Sequence, residues 1–357
     1  WTLLTDGTNG IPEDTPTRVV REDPVREGLL YAGTEFGMFL SFDNGAHWQS
    51  FQQNLPNVPI NDIKVHEGDL VLATQGRAFW ILDDLEPLRQ IAPSTAAQQV
   101  QLYRPGDGYR TRASELLEPT IQYYLPSEPP GAVTIDILDV EGQVVNSYSS
   151  AEATGGRGGG RGNPMMQGRG RGRFGGGAPR VTAEPGLNRF VWNVQHQAGP
   201  AAPPGRYQAR LTVAGESHTE PFEVLIDPRV AATGVSVADL EEQFEYALQV
   251  QDLVADVRAL AERVEAAQER LEGATGARAE TASRLEAVAS ELFTGPVRYD
   301  KPGLQEHIQY LSRMGLGVDQ RVGRDAVERY EVLRERLDDM TARVDDILGT
   351  EGGAAGR

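Results

Sequence analysis

Ser41-Phe42-Asp43-Asn44-Gly45-Ala46-His47-Trp48 decides how the first quarter of the chain is read. Its first, third, fifth and eighth positions carry the residue types that a tight hairpin turn requires. The Asp43 carboxylate can accept hydrogen bonds from nearby backbone N–H groups, and Gly45 permits a positive φ. The Ser41 hydroxyl can add a further bond, while Trp48 covers the turn with apolar area. Residues 29–33 and 38–42 flank the turn and read as strands bounded by turn residues.

The segment is repeated. At an offset of 40 residues Glu27-Gly28 meets Glu67-Gly68, Leu30 meets Leu70, Thr34 meets Thr74, Phe39 meets Phe79 and Asp43 meets Asp83. Repeats of about 40 residues with several short strands are the pattern of propeller blades. The run from Trp1 to Pro12 resembles the run from Trp48 to Pro56, so Trp1 reads as the closing Trp of an earlier turn of the same kind. Two blades cannot close a ring of roughly four to eight. The expectation is the end of a propeller, cut within a blade, whose last blade lacks a strand that upstream blades of the same chain would supply.

Ser41, Asp43, Gly45 and Trp48 match the Asp-box pattern S/T-x-D-x-G-x-x-W at every defining position. With the strand pair at residues 73–84, they make the chain resemble the bacterial-neuraminidase-repeat and sortilin-like propeller proteins. The order of the later domains is more weakly similar to that of large bacterial proteins often labelled glycosyl hydrolases. The resemblance implies a secreted or periplasmic protein whose complete propeller binds a protein or glycan. It implies no reaction, because in such families the Asp box is a structural turn on the blade rim, away from the central pocket.

The pattern after residue 96 is again β. Residues 120–125, 133–138, 188–193, 205–213 and 220–226 alternate or nearly alternate apolar and polar side chains. Short strands at this spacing predict an immunoglobulin- or fibronectin-like β-sandwich. Residues 153–180 interrupt it with many glycines, six arginines and no acidic residue. Such composition cannot recover the entropy of ordering, so a flexible loop is expected there. An RNA-binding reading of this Arg-Gly insert ranks lower, since Phe174 is its only aromatic residue and the chain is acidic.

From Ser236, an N-cap with Asp239 three residues on, the period becomes helical. Val250, Leu253, Val257, Leu260, Val264, Ala267 and Leu271 form an a/d seam. Later helices carry Leu285, Val288 and Leu292, then residues 302–314, then Val327, Tyr330, Leu337, Met340, Val344 and Ile347. Short connections favour an antiparallel bundle over a dimerising coiled coil. The expected fold is therefore multidomain, mainly β and then α. It comprises a partial β-propeller (its last blades) over residues 1–95, the β-sandwich over 96–229, and an antiparallel helical bundle over 230–357 with a frayed C-terminus.

A formal charge of −18 argues against nucleic acid as a partner, because phosphate binding needs a basic surface. No stretch approaches the roughly 20 apolar residues of a membrane span. Cysteine is absent, and the five histidines, His47, His66, His196, His218 and His307, show no metal-ligand spacing. There is no GxSxG elbow, no phosphate loop and no strand-linked GxGxxG. Asp83 and Asp84 are adjacent on a strand and point to opposite faces, unlike a glycosidase pair. Arg77 and Trp80 are a possible surface contact for carbohydrate, set against a packed Trp beside a solvated Arg. No catalytic, cofactor or metal residue is therefore expected in this chain. The function expected is non-catalytic binding of a protein or glycan; the alternative is a sialidase-like glycoside hydrolase with its catalytic residues in upstream blades.

Overall fold

The computed structural model describes residues 3, 6–66, 68–91, 99–111, 118–151, 179–295, 300–314 and 317–354, apart from the side chains of 350–354. Within these, strands occupy the first part of the chain and helices the last. The repeated segment forms two antiparallel meanders. The first is β1 (Thr17–Glu22), β2 (Leu30–Thr34), β3 (Gly37–Ser41) and β4 (Gln49–Ser50); the second is β5 (Ile60–His66), β6 (Asp69–Thr74) and β7 (Phe79–Leu82). Trp1 and Glu67 lie outside the described residues.

The two meanders share one irregularity. In the first, the register slips between Thr17 and Val19 opposite Thr34 and Gly33; in the second it slips between Ile60 and Asp62 opposite Thr74 and Ala73. A bulge at the same place twice marks a structural repeat. It also corrects the alignment of the third strands. Gly33 pairs with Met38, whereas its counterpart Ala73 pairs with Phe79, so the offset there is 41 and not 40. The cause is one extra residue in the β6–β7 loop, where the Thr74 amide reaches the Ala78 carbonyl. Phe79 is therefore the counterpart of Met38, and Asp84, not Asp83, that of Asp43. The Asn44 amide donates to the Gly28 carbonyl at 2.9 Å, and the Leu85 amide to the Gly68 carbonyl at 2.8 Å, in the same register.

The sheets stack through one buried cluster. Tyr31, Met38 and Leu40 of the first meet Ile60, Ile63, Leu70 and Leu72 of the second. The far face of the first sheet, Leu30 and Ala32, is covered by Ile11 and Trp48. The approach is close enough that a Cβ on Gly33 would lie 2.7 Å from the Ile60 Cγ2 methyl.

After β7 the chain turns into the short helix α1 (Glu86–Gln90), which carries Arg89 onto Asp23. The Arg89 Nε donates to Asp23 Oδ1 at 3.1 Å, with the Asp23 side chain fully buried. The Tyr31 hydroxyl and the amides of Val25 and Arg26 also donate to this carboxylate. Burial pushes the Asp23 pKa up. The Arg26 amide, the Arg89 guanidinium and the Val25 amide outweigh it and hold the group below the usual carboxylate range. Arg26 in turn donates to the carbonyls of Leu88, Arg89 and Ile91, closing the C-terminal end of α1.

The next strands are β8 (Gln101–Leu102), β9 (Gly108–Arg110), β10 (Thr120–Leu125), β11 (Thr134–Leu138), β12 (Val144–Ser149), β13 (Gly186–Val191), β14 (Gly205–Val213) and β15 (Glu216–Ile226). They form a sheet ordered β13-β10-β8 and a sheet ordered β12-β11-β14-β15-β9. Aromatic residues join the two: Trp192 meets Tyr207 edge-on at 5.2 Å, and Phe190 lies 4.8 Å from Tyr148. Most of the Gly/Arg-rich insert lies outside the described residues.

The helices are α2 (Pro228–Ala232), α3 (Val237–Arg270), α4 (Ala277–Leu292), α5 (Leu304–Met314) and α6 (Arg324–Ala354). Ser236 and Asp239 make a reciprocal capping box at the start of α3. The whole a/d seam of α3 is buried within the chain, in one cluster with Leu285, Leu292, Ile308, Leu333 and Met340. Asp256 pairs with Arg334 and Arg263 with Asp345, so α3 and α6 run parallel. Arg284 pairs with Asp346 and Glu291 with Arg343, so α4 runs antiparallel to α6. The α6 seam also departs from the sequence reading. Val327 is exposed, and Leu333, which that reading passes over, is fully buried.

The chain divides into two compact units, residues 1–108, 117–193 and 206–223, and residues 109–116, 194–205 and 224–357. In the second, Arg110 is buried and donates to Asp319 Oδ1 at 2.7 Å and to Gln243 Oε1 at 3.1 Å.

Replacing Arg89 with Met leaves the Asp23 carboxylate buried and unpaired. The expected loss is about 3–5 kcal/mol of unfolding free energy in urea titrations at neutral pH. Because the Asp23 pKa is depressed on folding, its contribution is present above about pH 4 and is lost as pH falls through the folded value. Asp23→Asn should therefore flatten the acid limb of the stability curve.

Candidate functional site

The turn between β3 and β4 is held by Ser41, which is fully buried. Its hydroxyl donates to Asp43 Oδ1 at 2.8 Å and accepts the Gly45 amide at 2.9 Å and the Asp43 amide at 3.3 Å. Asp43 Oδ1 also accepts the His47 amide at 2.8 Å, and Oδ2 lies 2.6 Å from His47 Nδ1. Burial raises the Asp43 pKa, but its bonds to His47 and Ser41 prevail and lower it. Gly45 sits at φ +83°. Trp48 is buried against Ile11, Leu30 and Ala32, and its amide donates to the Asn9 carbonyl at 2.7 Å. The Ser41 hydroxyl and the Asp43 carboxylate are thus directed into the turn itself.

Trp80 and Arg77 lie at the β6–β7 hairpin. The Trp80 indole N–H donates to the Arg77 carbonyl at 3.0 Å. Its ring is partly buried against the cluster shared by the two sheets, and Arg77 is exposed. The face of this sheet directed away from the first one carries Val71, Phe79 and Ile81. Phe79 is 73% exposed and Ile81 59%. Sequence reading missed this face because the one-residue loop insertion obscured which strand positions correspond.

An acidic cleft of about 270 Å³ lies beside α1, lined among others by Asp69, Asp84, Glu86, Arg89, Asp107 and Glu118. Arg89 is committed to Asp23 and Glu86. Asp84, at φ +61°, accepts the Gln122 Nε2 donor at 2.7 Å and the Glu86 amide at 3.1 Å. Burial pushes the carboxyl of Asp84 up despite these bonds, and burial also raises Glu118. Asp83 is exposed, so the adjacent aspartates do not converge. Among the described residues no group of three or more His, Asp or Glu is placed to hold a metal ion, and no helix is long and apolar enough to cross a membrane.

No protein-family model matches the chain, and no curated protein does. Among solved structures it is similar to the extracellular domain of a one-component system and of a hybrid two-component system, both from B. thetaiotaomicron. Identity is 9% and the TM-score 0.17 in each case, over 60% and 59% of this chain and 26% and 25% of theirs. The chain thus spans about a quarter of the length of the solved chains it matches.

Ser41→Ala removes the acceptor of the buried Gly45 amide. It should cost about 1–3 kcal/mol in thermal or urea unfolding. Removing the exposed ring of His47 should change stability far less, as surface ion pairs contribute little.

Proposed function

We propose that the two N-terminal sheets are the closing blades of an Asp-box β-propeller. In this reading the complete ring is a recognition surface for a protein or glycan outside the cell, and the two later β-sheets form an immunoglobulin- or fibronectin-like accessory sandwich ahead of the helices. The observation that carries the reading is the outer face of the second sheet. By the repeat register, Val71, Phe79 and Ile81 correspond to Tyr31, Met38 and Leu40. In the first sheet those three positions are buried by the sheet that follows. In the second they meet no further sheet among the described residues, and two large apolar side chains stand in water. Another blade stacked in the same way would cover them, gaining roughly 1.5–3 kcal/mol for each side chain fully buried. The edge of β7 supports the same conclusion, since β3, its counterpart, is paired with β4.

The test is a longer chain that carries preceding repeats. Hydrogen exchange at β7 should slow in it relative to the present chain. Ile81→Asp should destabilise it by on the order of 2–3 kcal/mol, and shift the present chain by only about 0.5 kcal/mol. Equal exchange and equal response in both chains would refute stacking.

Glycoside hydrolysis is the alternative for the complete ring. Within the present chain the carboxyls raised by burial, among the described residues, are Asp84 and Glu118, and Asp84 is already bonded to Gln122 and the Glu86 amide. The purified chain should therefore turn over no member of an aryl-glycoside panel. Turnover abolished by Glu118→Gln would reverse that conclusion.

A further inference from the structure

The helical unit pairs its surface arginines closely. Arg263 meets Asp345, Arg284 meets Asp346, Arg334 meets Asp256, and Arg343 meets Glu291. Arg329 and Arg336 of α6, like Arg258 and Arg270 of α3, stand outside this pairing. Arg329 and Arg336 are both exposed, and neither makes an ion pair among the described residues, in a chain of net charge −18. They are seven residues apart, hence on one flank of the helix and about 10.5 Å apart along it.

The flank continues onto α5. His307 lies within electrostatic reach of Arg329, Arg336 and Lys301, with Glu306 the opposing acid. Glu291, already paired with Arg343, also feels Arg336 and Lys301. Arg329, Arg336, Lys301 and His307 are therefore near neighbours, with Glu306 and Glu291 the acids among them. Helical periodicity places Tyr310 and Met314 on the His307 side of α5 and Val332 on the Arg329 side of α6. They are 59%, 55% and 47% exposed, respectively. Tyr, Met and Arg are side chains enriched at protein interfaces relative to the rest of the surface.

We infer that this α5–α6 flank docks an acidic amphipathic helix of a partner protein. Carboxylates one heptad apart on such a helix match the spacing of Arg329 and Arg336. The apolar residues between them would cover Val332, Tyr310 and Met314. A uniformly charged polyanion fits less well, because it offers no apolar side chains to cover Val332, Tyr310 and Met314. The electrostatic state of His307 agrees with the assignment. Burial lowers its pKa, and Arg329 and Arg336 lower it further. An incoming carboxylate offsets that field, so docking should raise it.

The test uses the whole chain and a synthetic three-heptad helical peptide with Glu at seven-residue spacing and Leu between, followed by fluorescence anisotropy. Binding is expected, weakening as salt rises. The double variant R329E/R336E should bind about tenfold more weakly, and recover with a peptide carrying Lys in place of Glu. Tyr310→Ser should also weaken binding, and the His307 imidazole resonance should titrate at higher pH in the complex. These positions are exposed, so circular dichroism should show unchanged helix content; R329Q/R336Q serves if charge reversal disturbs it. Binding unaffected by either double variant would overturn the proposal. So would RNA or a sulfated polysaccharide binding as tightly as the peptide and insensitive to Tyr310→Ser. Self-association of the chain in sedimentation, lost in R329E/R336E, would overturn it as well by assigning the flank to a second copy.

Discussion

The approach of β2 to β5 at Gly33 governs the N-terminal unit. No side chain fits there, because a Cβ would meet methyl groups of Ile60 and Val19. With the gap closed to this distance, Tyr31, Met38 and Leu40 reach the aliphatic face of the second sheet and exclude water from it. The bulge beside Gly33 bends the strand at the same point, and the second sheet repeats the bulge beside Ala73. Ala73 can carry its methyl group because no described sheet approaches it in this chain. Anything stacked there must stand off by slightly more than β5 does from β2.

The repeat ends through a change of chemistry. In the first meander the turn after the third strand closes with Trp48 on an apolar surface. In the second, Asp84 takes the place of Asp43 and uses its carboxylate to bind Gln122 and start α1. The same register brings Arg89 to the place of Trp48, and its partner is the buried Asp23 of the first meander. A local apolar closure is thus replaced by a long-range ion pair. Burying that pair costs desolvation of both groups, which the Tyr31 hydroxyl and two backbone amides offset by satisfying the remaining lone pairs. The residues that end the repeat are also those that tie α1 to the turn before β2.

How much of this is legible in the sequence follows the range of each interaction. The Ser41–Trp48 turn is legible because donors and acceptors lie within a few residues of one another. The α3 seam is legible because its period persists through seven apolar positions, all buried. The shift from 40 to 41 is not, since adjacent Asp83 and Asp84 offer the same residue type at either offset. Asp23 and Arg89 are 66 residues apart, and nothing local distinguishes them from solvated charges. Periodicity does separate Leu333 from Val327, since the alternation of three and four back from Ile347 passes through Leu333 and Tyr330 to Ala326 and leaves Val327 one residue off the seam.

The helical unit shows why the cationic flank stays open. Parallel α3 and α6 need an antiparallel element between them, and one helix of matching length would cover both along about 45–50 Å. The chain supplies two shorter ones, α4 and α5, with Thr294-Gly295-Pro296 between them. α4 ends at Leu292, where Phe293 turns to an extended conformation. The C-terminal half of α6 receives α4, whose Arg284 and Glu291 complete ion pairs with Asp346 and Arg343. The N-terminal half receives the eleven-residue α5, in which the only acid is Glu306. A short helix with one carboxylate cannot neutralise Arg329 and Arg336 as α4 neutralises Arg343. The unpaired charge is thus a consequence of where the middle rod breaks, and a partner helix that supplies acids at that level would pair it as Glu291 of α4 pairs Arg343.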